Sequence, residues 1–203
     1  EKYEEALAQK NVIALSIATR PDCLDDDVLD FLEELNKKTY LWVELGLQTI
    51  NDETANNFNR GYDFEVFDRS IKKLQERGIE VVVHTIFGLP GESKEDMLKT
   101  INYVAHSGAQ GIKFHLLHLM KNTKMAEQYE REEFELLSKE DYIDLICKGV
   151  AMIPEEMVVH RLTGDAPRAS LIGPMWSLKK WEVLNDIDRA LVENDIWQGK
   201  DFK

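Results

Sequence analysis

Cysteine is scarce: Cys23 and Cys147 are the only two in 203 residues, far apart and without a partner at the short spacings that metal and redox sites use. That leaves no local iron–sulfur, zinc or dithiol motif and reads as two unpaired thiols in a reducing compartment. Long apolar runs are missing as well. Nothing approaches the roughly 18 uninterrupted apolar residues of a spanning helix, and Glu1-Lys2-Tyr3-Glu4-Glu5 lacks the basic-then-apolar order of a signal peptide, so a cytoplasmic protein with no membrane partner is expected. Positive charge is in deficit, with 25 Lys and Arg against 38 Asp and Glu and a net charge of −13. This opposes the attraction that supplies most affinity for phosphate backbones, so a nucleic-acid partner would need a local basic patch or a further segment. Neither G-x-G-x-x-G nor a P-loop occurs, and no local Ser/His/Asp or Cys/His arrangement, which weakens hydrolase and dinucleotide readings.

What is present, 43% hydrophobic and 31% charged residues, suffices for one domain with a sizeable core over 1–203. Apolar, β-branched runs predict strands over 12–18, 40–47, 79–87, 112–119 and 157–162. Helical spacing of apolar residues predicts helices around 28–35 and over 64–77, 94–107, 139–153 and 178–196, with the tail of another at 3–9. The stops and starts agree: Gly78 and Gly108 close two helices, Asp25, Asp26 and Asp27 suit a helix N-terminus, Ser93 with Asp96 makes a capping box, and Ser138 caps a further helix. Five strand-then-helix units of this kind imply a parallel sheet covered by helices, an α/β fold forming part of a TIM-type (β/α) barrel. Five units do not close an eight-stranded barrel, so further strands upstream are expected.

In such folds the chemistry sits where strands run into loops at their C-terminal ends. Thr19-Arg20-Pro21-Asp22 places an arginine and a carboxylate on a proline-stiffened loop, suited either to fixing a polar ligand or to closing a local ion pair. On the second strand Glu44, Gly46 and Gln48 share one face, and a glutamate inside a parallel sheet is costly unless bonded, so Glu44 meets either a ligand or a buried partner. The third strand ends in Ile86-Phe87-Gly88-Leu89-Pro90-Gly91-Glu92, where Gly88 lets backbone approach a ligand edge or simply makes a tight turn. His115 and His118 stand three apart in the fourth strand, so they are expected on opposite faces, as satisfied core or rim histidines and not as a shared metal site.

Taken together, Thr19-Arg20-Pro21-Asp22, Glu44-Leu45-Gly46-Leu47-Gln48-Thr49 and Ile86-Phe87-Gly88-Leu89-Pro90-Gly91-Glu92 resemble the second half of a radical S-adenosylmethionine (SAM) enzyme. The branch most resembled is that of the Elongator catalytic subunit and the oxygen-independent coproporphyrinogen oxidases, particularly small bacterial Elongator-like proteins. The resemblance covers about 10–120; about 120–203 matches only that bacterial subgroup and reads as its C-terminal extension. It implies SAM and a 4Fe-4S cluster, the latter held by a CxxxCxxC loop that this chain lacks and that is expected upstream, so the metal has no ligand here. It also implies reductive cleavage of SAM to a 5′-deoxyadenosyl radical and hydrogen abstraction from a substrate, with flavodoxin or ferredoxin as electron donor. By motif, Gln48 would contact the ribose or methionine part of SAM and Arg60, in Asn59-Arg60-Gly61, its carboxylate. Ile86 and Gly88 would pack along the adenine, Leu117 would line the same pocket, and Glu44 and Arg20 would be further pocket positions.

Substrate determinants implied by the same resemblance lie in the loop carrying His160, Arg161, Asp165 and Arg168. By analogy with Elongator, a tRNA wobble uridine is the natural substrate, against which the acidic composition counts. A part-barrel fragment alone is expected to be inactive and prone to dimerise through its exposed strand edge. The alternative is a non-catalytic nucleotide- or protein-binding barrel module. A cluster-free SAM methyltransferase is disfavoured by the missing glycine-rich strand-to-helix loop.

Overall fold

The computed structural model describes residues 2–203. The chain runs α1 (Lys2–Leu7), β1 (Ala14–Thr19), α2 (Asp26–Asn36), β2 (Tyr40–Gln48), α3 (Asp52–Asn57), α4 (Phe64–Glu76), β3 (Glu80–Phe87), α5 (Lys94–His106) and β4 (Gly111–Leu116). It continues through β5 (Leu119–Met120), α6 (Lys124–Glu130), α7 (Lys139–Met152), β6 (Val158–Arg161), β7 (Leu171–Gly173) and α8 (Lys180–Glu193). Strands β1, β2, β3, β4 and β6 form one sheet in that order, every pair parallel, while β5 and β7 make a small antiparallel pair. Strands β1, β2 and β3 lead into helices as the strand-then-helix pattern predicts, while the short β5 and β7 intervene between β4 and β6, respectively, and the helices that follow them. The result is a five-unit part of a TIM-type barrel.

Period-two alternation gives the sheet two unlike faces. Leu41, Val43, Leu45 and Leu47 on β2, with Val81 and Val83 on β3 and Ile112 and Phe114 on β4, are almost wholly buried in the main core. They meet apolar stripes of the helices, including Leu29 and Leu32 of α2, Phe67 and Leu74 of α4, Ile101 of α5 and Leu145 of α7. Each such side chain contributes roughly 1.5–3 kcal/mol by leaving water. The inner face carries Ser16, Trp42, Glu44, Gly46, Gln48, His84 and Lys113, none of them fully buried.

Local chemistry sets the element boundaries. The capping box at α5 is formed, with Ser93 Oγ accepting from the Asp96 N–H and the Asp96 carboxylate accepting from the Ser93 N–H. Asp25 and Ser138 cap α2 and α7 through the N–H groups of Val28 and Asp141.

Two expectations change. The run over 112–119 is not one strand: β4 stops at Leu116, and Leu119–Met120 turns away to pair antiparallel with β7. The last helix begins at Lys180, after a short 3₁₀ turn at Met175–Leu178, and not at residue 178.

Candidate functional site

The C-terminal end of β2 is the most contorted part of the sheet. Gln48 adopts φ 63°, a left-handed conformation uncommon for a residue with a side chain, and the pairing of β2 with β3 slips between Gly46 and Gln48. The Gln48 amide folds back over Gly46, where a Cβ would lie 2.6 Å from Gln48 Nε2 and 3.3 Å from Tyr62 Oη. The Tyr62 hydroxyl donates to the Gly46 carbonyl at 2.9 Å, with Gln48 Oε1 as a second acceptor at 3.1 Å. Two guanidinium groups rest against the Tyr62 ring, Arg60 at 4.8 Å and Arg20 at 5.4 Å from its centroid.

These two arginines have different occupations. Arg20 grips Asp22 through Nε at 2.9 Å and Nη2 at 2.7 Å, the local ion pair that was one of its two readings, and holds the Asp22 carboxyl below its ordinary range. Arg60, expected to face the SAM carboxylate, has a side chain only 2% exposed. Its Nε donates to Tyr62 O, its Nη1 to Leu47 O and Thr49 O, and its Nη2 to Asp52 at 2.7 Å. The carboxylate it meets is the chain's own, so Arg60 fastens the end of β2 to the start of α3. Asp52 also accepts from the Phe64 N–H at the head of α4.

Beside this node lies an open groove of about 850 Å³ at the strand ends. Ile86, Leu117 and His118 line its sheet side; Asn57, Met125 and Gln128 line the other. Ile86 and Leu117 thus line the same groove. Gly88 sits behind them with φ 87°, and a Cβ there would be 3.1 Å from Leu137, so its missing side chain admits a neighbour in the core. Arg20, Glu44, Gln48 and Arg60 do not line this groove.

Deeper on the inner face, Glu44 anchors a polar cluster. Its Oε1 accepts from Ser16 Oγ at 2.7 Å, and its Oε2 accepts from Lys113 Nζ at 2.5 Å and from His84 Nε2 at 2.9 Å. Burial pushes this carboxyl up, but the Lys113, Ser16 and His84 bonds outweigh it and hold the pKa at about 2. An ionised carboxylate only accepts, which assigns the proton of neutral His84 to Nε2. Burial keeps His84 below its ordinary pKa. Of its two readings, Glu44 takes that of buried partner.

Next to it the two histidines of the fourth strand part company with expectation. Because β4 ends at Leu116, His115 and His118 converge and do not diverge. A Cβ on Gly164 would lie 3.8 Å from His115 Nδ1 and 3.4 Å from His118 Nδ1. His118 Nε2 meets Ser177 Oγ at 3.1 Å. His115 is not satisfied: its Nε2 is buried without a hydrogen-bond partner. Burial first, then the charges of His84, Arg161 and Lys113, lower its pKa to about 4. Of the loop residues read as substrate-side, His160 and Arg161 lie on β6, with Arg161 in register with Lys113. Asp165 is held by Lys180 at 2.7 Å, and Arg168 is exposed farther along. The sequence reading missed Tyr62, Lys113 and Ser16. Alternation along β4 places Lys113 on the face of His115 and could have flagged it; nothing local marks Tyr62.

The pattern of the Radical SAM superfamily matches residues 1–104, and that of the Radical_SAM C-terminal domain matches residues 109–193. The chain belongs to the radical SAM superfamily. Among its relatives is the uncharacterized protein YtqA of Bacillus subtilis (strain 168), 52% identical over 203 residues, all of this chain and 63% of the relative. A more distant one is the tRNA uridine(34) acetyltransferase of Methanocaldococcus infernus, 26% identical over 168 residues, covering 81% of this chain and 31% of the relative. The same fold occurs in the archaeal Elp3 of Methanocaldococcus infernus, with a TM-score of 0.80 at 21% identity over 92% of this chain and 43% of that one. The chain therefore spans under two thirds of the relatives it matches.

Members of this superfamily use SAM and a 4Fe-4S cluster, and the residues here suit the two unequally. The groove offers an apolar pad, Ile86 and Leu117, beside amide side chains, a surface suited to an adenosine. The cluster does not fit: Cys23 is exposed, Cys147 is buried in α7, and among the described residues no group of three His, Cys, Asp or Glu could hold a metal.

Proposed function

We propose that this chain forms the SAM-binding and substrate-facing part of a radical SAM enzyme, the cluster being held by residues outside it. The observation that carries this reading is the groove in which Ile86 and Leu117 meet at the strand ends, in a chain of this superfamily. Ile86 and Leu117 would seat the adenine, with Gly88 shaping the turn behind them. Gln48, fixed by Tyr62, would meet the ribose or methionine part, and the Arg20–Asp22 pair would bound that end. SAM, when bound with a reduced cluster, supplies hydrogen-atom abstraction. The protein's own share is to orient it, exclude water and present the substrate on the inner wall. A one-electron donor, flavodoxin or ferredoxin, would complete the system.

The region from about 120 onward we read as the substrate-determining extension, and the relative named for tRNA uridine(34) acetylation supports a wobble uridine as its target. The outer edge of β1, with Ile13 just before it 85% exposed, would support dimerisation of this chain in isolation.

Titrating the chain with SAM by isothermal calorimetry tests the reading. Saturable binding that Ile86→Asp abolishes, and that ATP does not reproduce, is the expected result. Equal binding of ATP would instead favour a general nucleotide-binding module, and no binding of either would sink both. Anaerobic cluster reconstitution on a form carrying an upstream cysteine loop, followed by a 5′-deoxyadenosine assay, tests the chemistry separately.

A further inference from the structure

Among the described residues, Arg161 is the partly buried cation that makes neither an ion pair nor a side-chain hydrogen bond, and His115 the partly buried histidine that makes no hydrogen bond; the two lie on adjacent strands. Lysines and arginines that are at least partly buried otherwise hold carboxylates: Arg60 pairs with Asp52, Arg77 with Asp30, Lys113 with Glu44 and Lys139 with Asp186. Lys73, Lys94 and Lys180 likewise hold Asp26, Asp141 and Asp165. Among the described residues the partly buried Arg161 has neither an ion pair nor a side-chain hydrogen bond, in a chain whose net charge is −13. Withdrawing a guanidinium from water without a bonded anion is unfavourable, and Asp165, although near enough to feel its charge, is bonded to Lys180, so Arg161 is out of pattern in an acidic protein.

The reason it is free is visible. Asp165, four residues on, is committed to Lys180 at 2.7 Å, and Glu44 has both oxygens engaged by Ser16, His84 and Lys113. His115 stands two positions beyond the Lys113 that pairs in register with Arg161. Of the partly buried histidines, His84 has Glu44 and His118 has Ser177, whereas the His115 ring makes no hydrogen bond among the described residues and its Nε2 is buried. A neutral imidazole with neither nitrogen committed is free to place its proton on whichever one a ligand requires.

We propose that Arg161, with His115 beside it, is the recognition point for an oxyanion, a carboxylate or phosphoryl group, at the β4–β6 end of the inner wall. The guanidinium fork matches either group with two parallel N–H donors, and His115 adds a third from the adjacent strand. The site is separate from the strand-end groove, whose lining includes neither residue. It rests on the reading of the inner wall as the substrate side, and requires neither SAM nor a cluster in order to be measured.

The test is NMR of the chain labelled with ¹³C and ¹⁵N, titrated at constant ionic strength with inorganic phosphate and, separately, with acetate. His115 Cε1–H and Arg161 Nε–H should move together and saturate. A response to phosphate alone identifies a phosphoryl group, to acetate alone a carboxylate, and to both the oxyanion chemistry they share. Arg161→Gln should weaken the response at least roughly tenfold, the loss expected for a charge-assisted pair, while Arg161→Lys, which keeps the charge but not the fork, should weaken it by less. Should Arg161→Gln not fold, His115→Asn replaces it, with a several-fold weakening expected. No movement with either anion, or an affinity unchanged by these variants, overturns the proposal. SAM binding in the groove is read independently, so failure of one leaves the other standing.

Discussion

The two faces of β2 show how one strand serves stability and chemistry at once. Toward the helices it presents Leu41, Val43, Leu45 and Leu47, all at most 1% exposed, in a core that reaches from α2 to α8. Toward the inner wall it presents Trp42, which packs by ring contacts against Tyr40 and His160, and Glu44, Gly46 and Gln48. Glu44 is bonded to Ser16, His84 and Lys113, and the Tyr62 hydroxyl reaches Gly46 O and Gln48. The first face tolerates approximate chemistry so long as volume is kept; the second depends on individual bonds. Substitutions that strike one face and spare the other measure that difference.

The largest effect belongs to the helix side. Leu45→Ala removes a fully buried side chain where the sheet meets its helices, and should lower unfolding free energy by about 3 kcal/mol in urea, with Leu45→Met costing far less. Lys113→Met acts on the inner side by stripping Glu44 of its cation. Both side chains keep some exposure, 16% and 14%, so a loss of about 2 kcal/mol is expected, below that of a wholly buried pair. Adding Glu44→Gln should restore part of it, because the uncompensated charge is then gone; a double variant as unstable as the single one would mean the damage was to packing.

Acid separates the faces by another route. Glu44 ionises at about 2 in the fold against an ordinary 4.5, so its stabilisation is complete above the ordinary value and is lost as pH falls toward 2. His115 works in a higher window. Its pKa is lowered from 6.5 to about 4, so on acidification the unfolded chain takes the proton first and stability declines as pH falls from 6.5 toward 4. Urea midpoints followed across both windows should show two declines. His115→Asn should flatten the upper one without removing it, since His84, His118 and His160 are lowered as well.

Much of this was legible in the sequence where the cause is local. The four apolar runs that became β1 to β4, the capping box at Ser93 and the shared face of Glu44, Gly46 and Gln48 follow from propensity and alternation alone. What escaped has causes at a distance. Leu117-His118-Leu119 continues the apolar run of β4, and only the pairing of Leu119 with Gly173 reveals that the strand has already ended. The motif that pointed Arg60 at a ligand carries no sign that Asp52 and three backbone carbonyls would take up its donors. Motifs register which residues gather at a site more readily than which partners their donors find within the chain.

Gln48 is where the two faces meet, and the effect there is the smallest and the most specific. Its left-handed φ of 63° ends the alternation of β2 and swings the amide over Gly46 toward Tyr62. Gln48→Gly and Gln48→Ala both delete that amide, so comparing the two isolates the backbone: glycine accepts this conformation freely and alanine does not. Gln48→Gly should therefore be the more stable by about 1 kcal/mol. SAM binding, if it uses the side chain, should fall equally in both. A Gln48→Gly variant that gains stability yet loses SAM affinity would show that the strain at the end of β2 is kept for the ligand, whereas equal stability of the two variants would mean that the backbone relaxes once the Tyr62 contact is lost.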